Sequence, residues 1–200
     1  MGDSTLNLRN FAATALIVFL FTCSMLWLNW DNVSPGYAHF NKYGVNLTYP
    51  KLMNLREVGL SDLGFGSDPS DFSGLIQCQS YWEDKLDVFE VIWLVKNKAS
   101  STKAELKELL MMMSPSNDVV KSVGEFYIIT LQGEETTCVN IEVGEEGNTF
   151  SGVIGVIYRP WSSPGVTRIF YVAYATFKGS ASEEQIRSSL QKYAGGLSIS

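Results

Sequence analysis

Histidine is almost missing from this chain: of 200 residues only His39 carries an imidazole. A lone histidine reads as an ordinary surface residue, and the signatures that would give it catalytic work are absent too. There is no Gly-x-Ser-x-Gly nucleophile elbow, no phosphate-binding loop and no His-Glu-x-x-His pair. Cysteine is sparse, at Cys23, Cys78 and Cys138. None stands in Cys-x-x-Cys spacing, which removes zinc and thioredoxin chemistry. Excess positive charge is also lacking. The 15 Lys and Arg residues against 21 Asp and Glu residues leave a formal net charge of −6. An acidic surface argues against nucleic acid or anionic lipid as partner. There are no repeats and no low-complexity tract. Met111, Met112 and Met113 are consecutive, so they cannot share one helical face as a metal-binding methionine cluster would.

What the chain does have is a run without any charged side chain over 11–30. Wound as a helix at ~1.5 Å per residue it reaches roughly 30 Å, the thickness of a bilayer's hydrocarbon core. Trp27 and Trp30 lie near one end, where indole rings favour the headgroup zone. The run ends Leu-Trp-Leu-Asn-Trp-Asp, with no small-residue cleavage site of the signal-peptide kind. Arg9 precedes it and Asp31 follows it, which predicts residues 1–10 as a short cytoplasmic tail and the large domain outside. The Asn32 and Asn46 sequons would be usable only outside. The bilayer is thus one expected partner, through residues 11–30. Localisation is to a cell membrane as a single-pass protein.

Residues 31–39 hold Asn, Ser, Pro and Gly and read as a linker. A domain over 40–200 follows, long enough to bury a core. Tyr43, Val45, Leu47 and Tyr49 alternate with polar or small residues, the period of a half-buried strand that Pro50 ends. A short strand over 52–58 precedes a Gly-, Ser- and Asp-rich loop at 59–73. Segments 74–82 and 86–96 read as a hairpin. A helix follows over 103–113, capped by Ser101 or Thr102. Its Leu106, Leu109, Leu110 and Met113 share one side, and Lys103, Glu105, Lys107 and Glu108 are expected to face water. Strands are predicted over 119–123, 125–132, 136–143, 149–159 and 166–177. The last two are apolar on both faces and must be covered on both sides. A closing helix over 183–193 starts at Ser180 or Ser182 and ends at Gly195-Gly196. The order implies an α+β fold, an antiparallel sheet sandwiched by helices after an N-terminal transmembrane helix.

The stretch Tyr43-Gly44-Val45-Asn46-Leu47-Thr48-Tyr49-Pro50 resembles the opening strand of the PsbP-like family, Tyr-Gly-Val-x-x-x-Tyr-Pro. The likeness covers roughly 40–200, and both helices fall where that family has its own. Where the family commonly places Trp a few residues after the Pro, this chain has Leu52 and Met53. The resemblance implies a PsbP-like α/β/α sandwich in a membrane-anchored form. Related tethered domains occur outside photosynthesis, so no oxygen-evolving role is carried over from fold alone.

Candidate contacts are few. The turn at 159–164 places Trp161 at a loop tip flanked by Arg159 and Arg168, where it either folds back onto the sheet or meets a membrane-protein partner or the membrane itself. Cys78 and Cys138 could form a disulfide in an oxidising space, or stand as two separate buried thiols. Asp62, Asp68 and Asp71 lack the spacing of a calcium loop and its closing Glu. The pairs Glu134-Glu135 and Glu145-Glu146 fall in turns and read as solvated surface. No cofactor is implied. The function expected is non-catalytic: a membrane-anchored binding or assembly module for a membrane or envelope complex. The alternatives are a small-ligand or metal-ion receptor using loop 59–73, and behind it a hydrolase.

Overall fold

One large antiparallel sheet is built around central strands that are apolar on both faces. The computed structural model describes residues 36–58, 68–82, 85–113, 120–145, 148–161 and 165–199. The expected membrane span at 11–30, the Asn32 sequon, Cys23 and Asp62 lie outside the described residues. Among those described, no helix is long and apolar enough to cross a membrane. Ala38–Ser200 forms one unit of the chain.

Its strands are β1 (Tyr37–Lys42), β2 (Val45–Pro50), β3 (Asn54–Val58), β4 (Ser73–Trp82), β5 (Lys85–Lys96), β6 (Val120–Leu131), β7 (Glu134–Glu145), β8 (Asn148–Pro160), β9 (Thr167–Phe177) and β10 (Leu197–Ile199). Helix α1 (Thr102–Met113) follows β5, and α2 (Glu183–Gly195) follows β9. Seven strands pair in the order β3-β4-β5-β9-β8-β7-β6, and β1-β2-β10 make a smaller sheet. The fold is therefore α+β, mostly antiparallel sheet with two helices.

Alternate residues of β5 enter two separate cores, as the period of a strand requires. Val91 and Trp93 join Val153, Phe170 and Val172 with Ile186, Leu190 and Ala194 of α2 and with Phe40, Val45 and Leu47 of the small sheet. Ile92 and Leu94 join Val139, Ile154, Val156 and Ile169 with Leu106, Leu109 and Leu110 of α1. Each fully buried leucine, Leu106 or Leu190, contributes about 2 kcal/mol of transfer free energy. Ser101 caps α1 by accepting from the Ala104 N–H at 3.3 Å. Ser182 and Gln185 close a capping box on α2.

Several expectations are corrected. Tyr43 is not in a strand. It and Gly44 have φ of 55° and 65°, the two left-handed positions of a tight hairpin turn. β1 begins at Tyr37, so the last positions of the expected linker already belong to a strand. The breaks expected near Gly124 are bulges within the single strand β6, with register shifts at Val120/Ser122 and Val123/Phe126. β10, not expected at all, pairs antiparallel with β2. Gly196 sits at φ −84°, so no left-handed cap explains it. A Cβ there would meet the Thr48 carbonyl oxygen at 2.5 Å.

Glu105, expected in water, is buried. Its carboxylate accepts from Lys96 Nζ at 2.7 Å, the Ser100 N–H at 2.9 Å and the Tyr171 hydroxyl at 3.2 Å. Cys78 and Cys138 are two free buried thiols rather than a disulfide. They lie on β4 and β7, four strand steps apart in the sheet. At ~4.8 Å per step that is roughly 19 Å, far beyond the ~7 Å that a disulfide can span between Cα atoms.

Candidate functional site

The turn between β8 and β9 brings two of the three residues singled out in the sequence together. Arg168 opens β9 on the face of Phe170 and is 1% exposed. Its guanidinium carbon lies 4.9 Å from the centre of the Phe170 ring, 5.0 Å from Trp161 and 5.9 Å from Trp93. Arginine suits such a box, because a planar, weakly hydrated cation can stack on aromatic faces. Nη2 donates to the Tyr43 carbonyl, and Nε has no hydrogen-bond partner among the described residues. Burial lowers its pKa from the ordinary value, and the nearby Asp71 charge opposes that shift. The contact to Tyr43 ties the β1–β2 turn to the large sheet, and Tyr43 stacks on Trp93 at 5.6 Å. That pairing accounts for a tyrosine in a left-handed turn position: tertiary contacts hold it there.

Trp161 folds over Arg168 and meets Phe72 at 6.0 Å between ring centres, with the planes tilted by 54°. Its own N–H donates to the Val166 carbonyl at 3.1 Å, closing the turn. Phe72 is 63% exposed, so the pair presents an aromatic step to solvent. The segment carrying Phe72 is fixed from below. Trp93 Nε1 donates to the Ser70 carbonyl at 2.8 Å, and the Val95 N–H donates to the Phe72 carbonyl at 2.9 Å. Gly74 makes room for this, since a Cβ there would meet Trp93 Cζ2 at 2.3 Å.

Arg159 is not part of the step. It pairs with Arg168 in register across β8 and β9, but its side chain turns to Glu134 at 2.9 Å and Gln132 at 2.9 Å. Phe72 carried no signal beyond an aromatic in a polar loop, and Tyr43 none beyond strand alternation and its place in the Tyr43-Gly44-Val45 stretch. His39, exposed on β1, contacts the Thr48 hydroxyl at 3.0 Å.

The other candidate chemistries find little to build on. Asp68 and Asp71 are the described members of the acidic loop. Among the described residues no group of three His, Cys, Asp or Glu side chains is placed to hold a metal ion. Glu134, Glu135 and Glu145, expected in turns, belong to β7, and Glu134 is paired with Arg159. Comparison with protein-family models and with curated proteins finds no match for the chain.

Proposed function

We propose that this chain is a single-pass, membrane-tethered binding or assembly module with a PsbP-like α/β/α sandwich outside the membrane. The two separate cores, one holding α1 and the other α2, support the sandwich reading. The uncharged run at 11–30 supports the tether. The observation that carries the binding role is the Phe72–Trp161 step. An exposed Phe72 against a half-exposed Trp161 makes a contiguous apolar patch of the kind that contact sites use, and the two stand on a base of buried Arg168 and Trp93 that costs little ordering on association.

The test is purification of the full chain in mild detergent. A protein partner should co-purify with the unaltered chain and be lost from the F72S/W161S double variant. It should be retained when Lys121, on β6, is changed to Ser. A strictly monomeric chain with no co-purifying protein would overturn the reading. So would protease added to intact cells that spares residues 40–200.

A further inference from the structure

The larger hollow beside β6, about 510 Å³, has polar walls whose groups engage one another. There the Tyr127 hydroxyl donates to Asn140 Oδ1 at 2.6 Å, and Asn140 Nδ2 donates to Glu183 at 2.9 Å. A second hollow is different. It lies at the foot of α1, on the sheet face that carries Ile92 and Leu94, and encloses about 280 Å³. Its walls are apolar, built by Val88, Ile141, Phe150, Ile154, Ala173 and Met113.

One carboxylate stands in its floor. Glu90 lies between Gln77 of β4 and Ala173 of β9 in register. Gln77 Nε2 donates to Glu90 Oε1, and Gln79 Nε2 donates to Gln77 Oε1 at 2.5 Å. The two amides thus form a chain of donors ending on one carboxylate oxygen. No group among the described residues engages the other oxygen, and Glu90 belongs to none of their ion pairs. Burial pushes the Glu90 carboxyl above its ordinary value, with the Gln77 N–H pulling the other way. A cavity with apolar walls and a few convergent polar groups is the usual form of a small-molecule site. Glu90 is half-buried there, and an acid without a cation at the mouth of an apolar hollow is a specificity element, because a ligand that brings the missing charge or donor gains more there than in bulk water.

We infer that the hollow at the foot of α1 binds a small organic amine, with the ammonium on the free oxygen of Glu90 and an apolar body against Phe150, Ile154 and Ala173. This site stands apart from the Phe72–Trp161 step and does not depend on the partner reading. Charge sets the ligand class on two counts. A carboxylate ligand would meet like charge beside the half-buried Glu90, and a neutral alcohol would supply a donor without the charge.

The test uses the full chain in mild non-ionic detergent, with calorimetric titration of phenethylamine, 2-phenylethanol and 3-phenylpropanoate as probes. Phenethylamine should bind saturably, at least tenfold tighter than the alcohol, and the acid should not bind. E90Q, which keeps the shape and the Gln77 contact, should weaken the amine at least tenfold and leave the alcohol unchanged. A173L, which fills the cavity, should abolish amine binding while the melting midpoint confirms a folded chain. Equal binding of amine and alcohol, equal amine binding by E90Q, or no saturable amine binding at all would each overturn the inference.

Discussion

Removing the Glu105 carboxylate should cost the folded state about 3 kcal/mol. The magnitude follows from what is left behind. The side chain is 1% exposed, and its Lys96 partner is 23% exposed and keeps a second partner, Glu108, at 2.9 Å. Lys96 therefore stays charged and partly solvated, and losing its inner partner costs roughly 1–2 kcal/mol rather than the full price of an isolated buried ion. The buried Tyr171 hydroxyl then stands unpaired and the N–H of the exposed Ser100 loses its acceptor, at ~1 kcal/mol each at most. For a unit of this size E105A should lower the melting midpoint by roughly 6–12 °C. E105Q keeps an acceptor in place and should cost about half as much. E108A removes a half-exposed carboxylate and should cost under ~1 kcal/mol.

The pH dependence sharpens the test. Burial alone would raise the Glu105 carboxyl, but the Lys96 ammonium, the Ser100 N–H and the Tyr171 hydroxyl outweigh it and hold the group below its ordinary value of 4.5. A depressed folded-state pKa adds stability that is complete above the unfolded value and disappears as pH falls through the folded one. The gap between the unaltered chain and E105Q should therefore be constant from pH 7 to about 5 and shrink towards pH 3. Urea unfolding of the full chain in mild detergent, followed by circular dichroism, measures both quantities. A cost under 1 kcal/mol for E105A at pH 7, or a gap that persists unchanged to pH 3, would refute the assignment of Glu105 as a buried ionised hub.

Two further outcomes are expected. G74A should destabilise by about 2–3 kcal/mol, because Trp93 is fully buried and pinned by Ser70 and Tyr43 and cannot retreat from a new methyl group; an unchanged urea midpoint would mean the ring can shift. Cys78 and Cys138 should resist an aromatic disulfide reagent at pH 8 until urea is added, since burial pushes both thiols up to about 12, with Arg187 opposing the shift at Cys138. Peptide mass analysis separates them from Cys23, and native-state modification at either position would contradict the packing.

The elements readable in the sequence were those whose pattern is local. The β4–β5 hairpin, the two-faced strands β8 and β9 and the capped helices follow from period, branched side chains and Ser101 or Ser182 at a helix start. Features set by remote partners were not readable. Glu105 occupies a position that helix amphipathicity assigns to water, and it is buried because Lys96 and Tyr171 reach it from β5 and β9. Tyr43 fits a strand by alternation and a turn only through Trp93 and Arg168. β10 is three residues long and follows two glycines, too short for any period. Of the aromatic step, Trp161 was visible as a large side chain in a Pro-bounded turn, whereas Phe72 became its companion only through the folding of β4 against β5. The amine-sized hollow combines single residues from separate strands, and no local signal groups them.

Pairing of Leu197 with Leu47 joins positions about 150 residues apart, among the most distant contacts a chain of this length can make. During synthesis the β1–β2 hairpin leaves the ribosome well before β10, so one side of its sheet has no partner until residues 197–199 emerge. The edge it presents meanwhile is open to any other extended segment, including the same hairpin on a neighbouring nascent chain. Completion of this small sheet therefore waits on residues 197–199, and deleting those three would leave an adhesive edge on an otherwise assembled body.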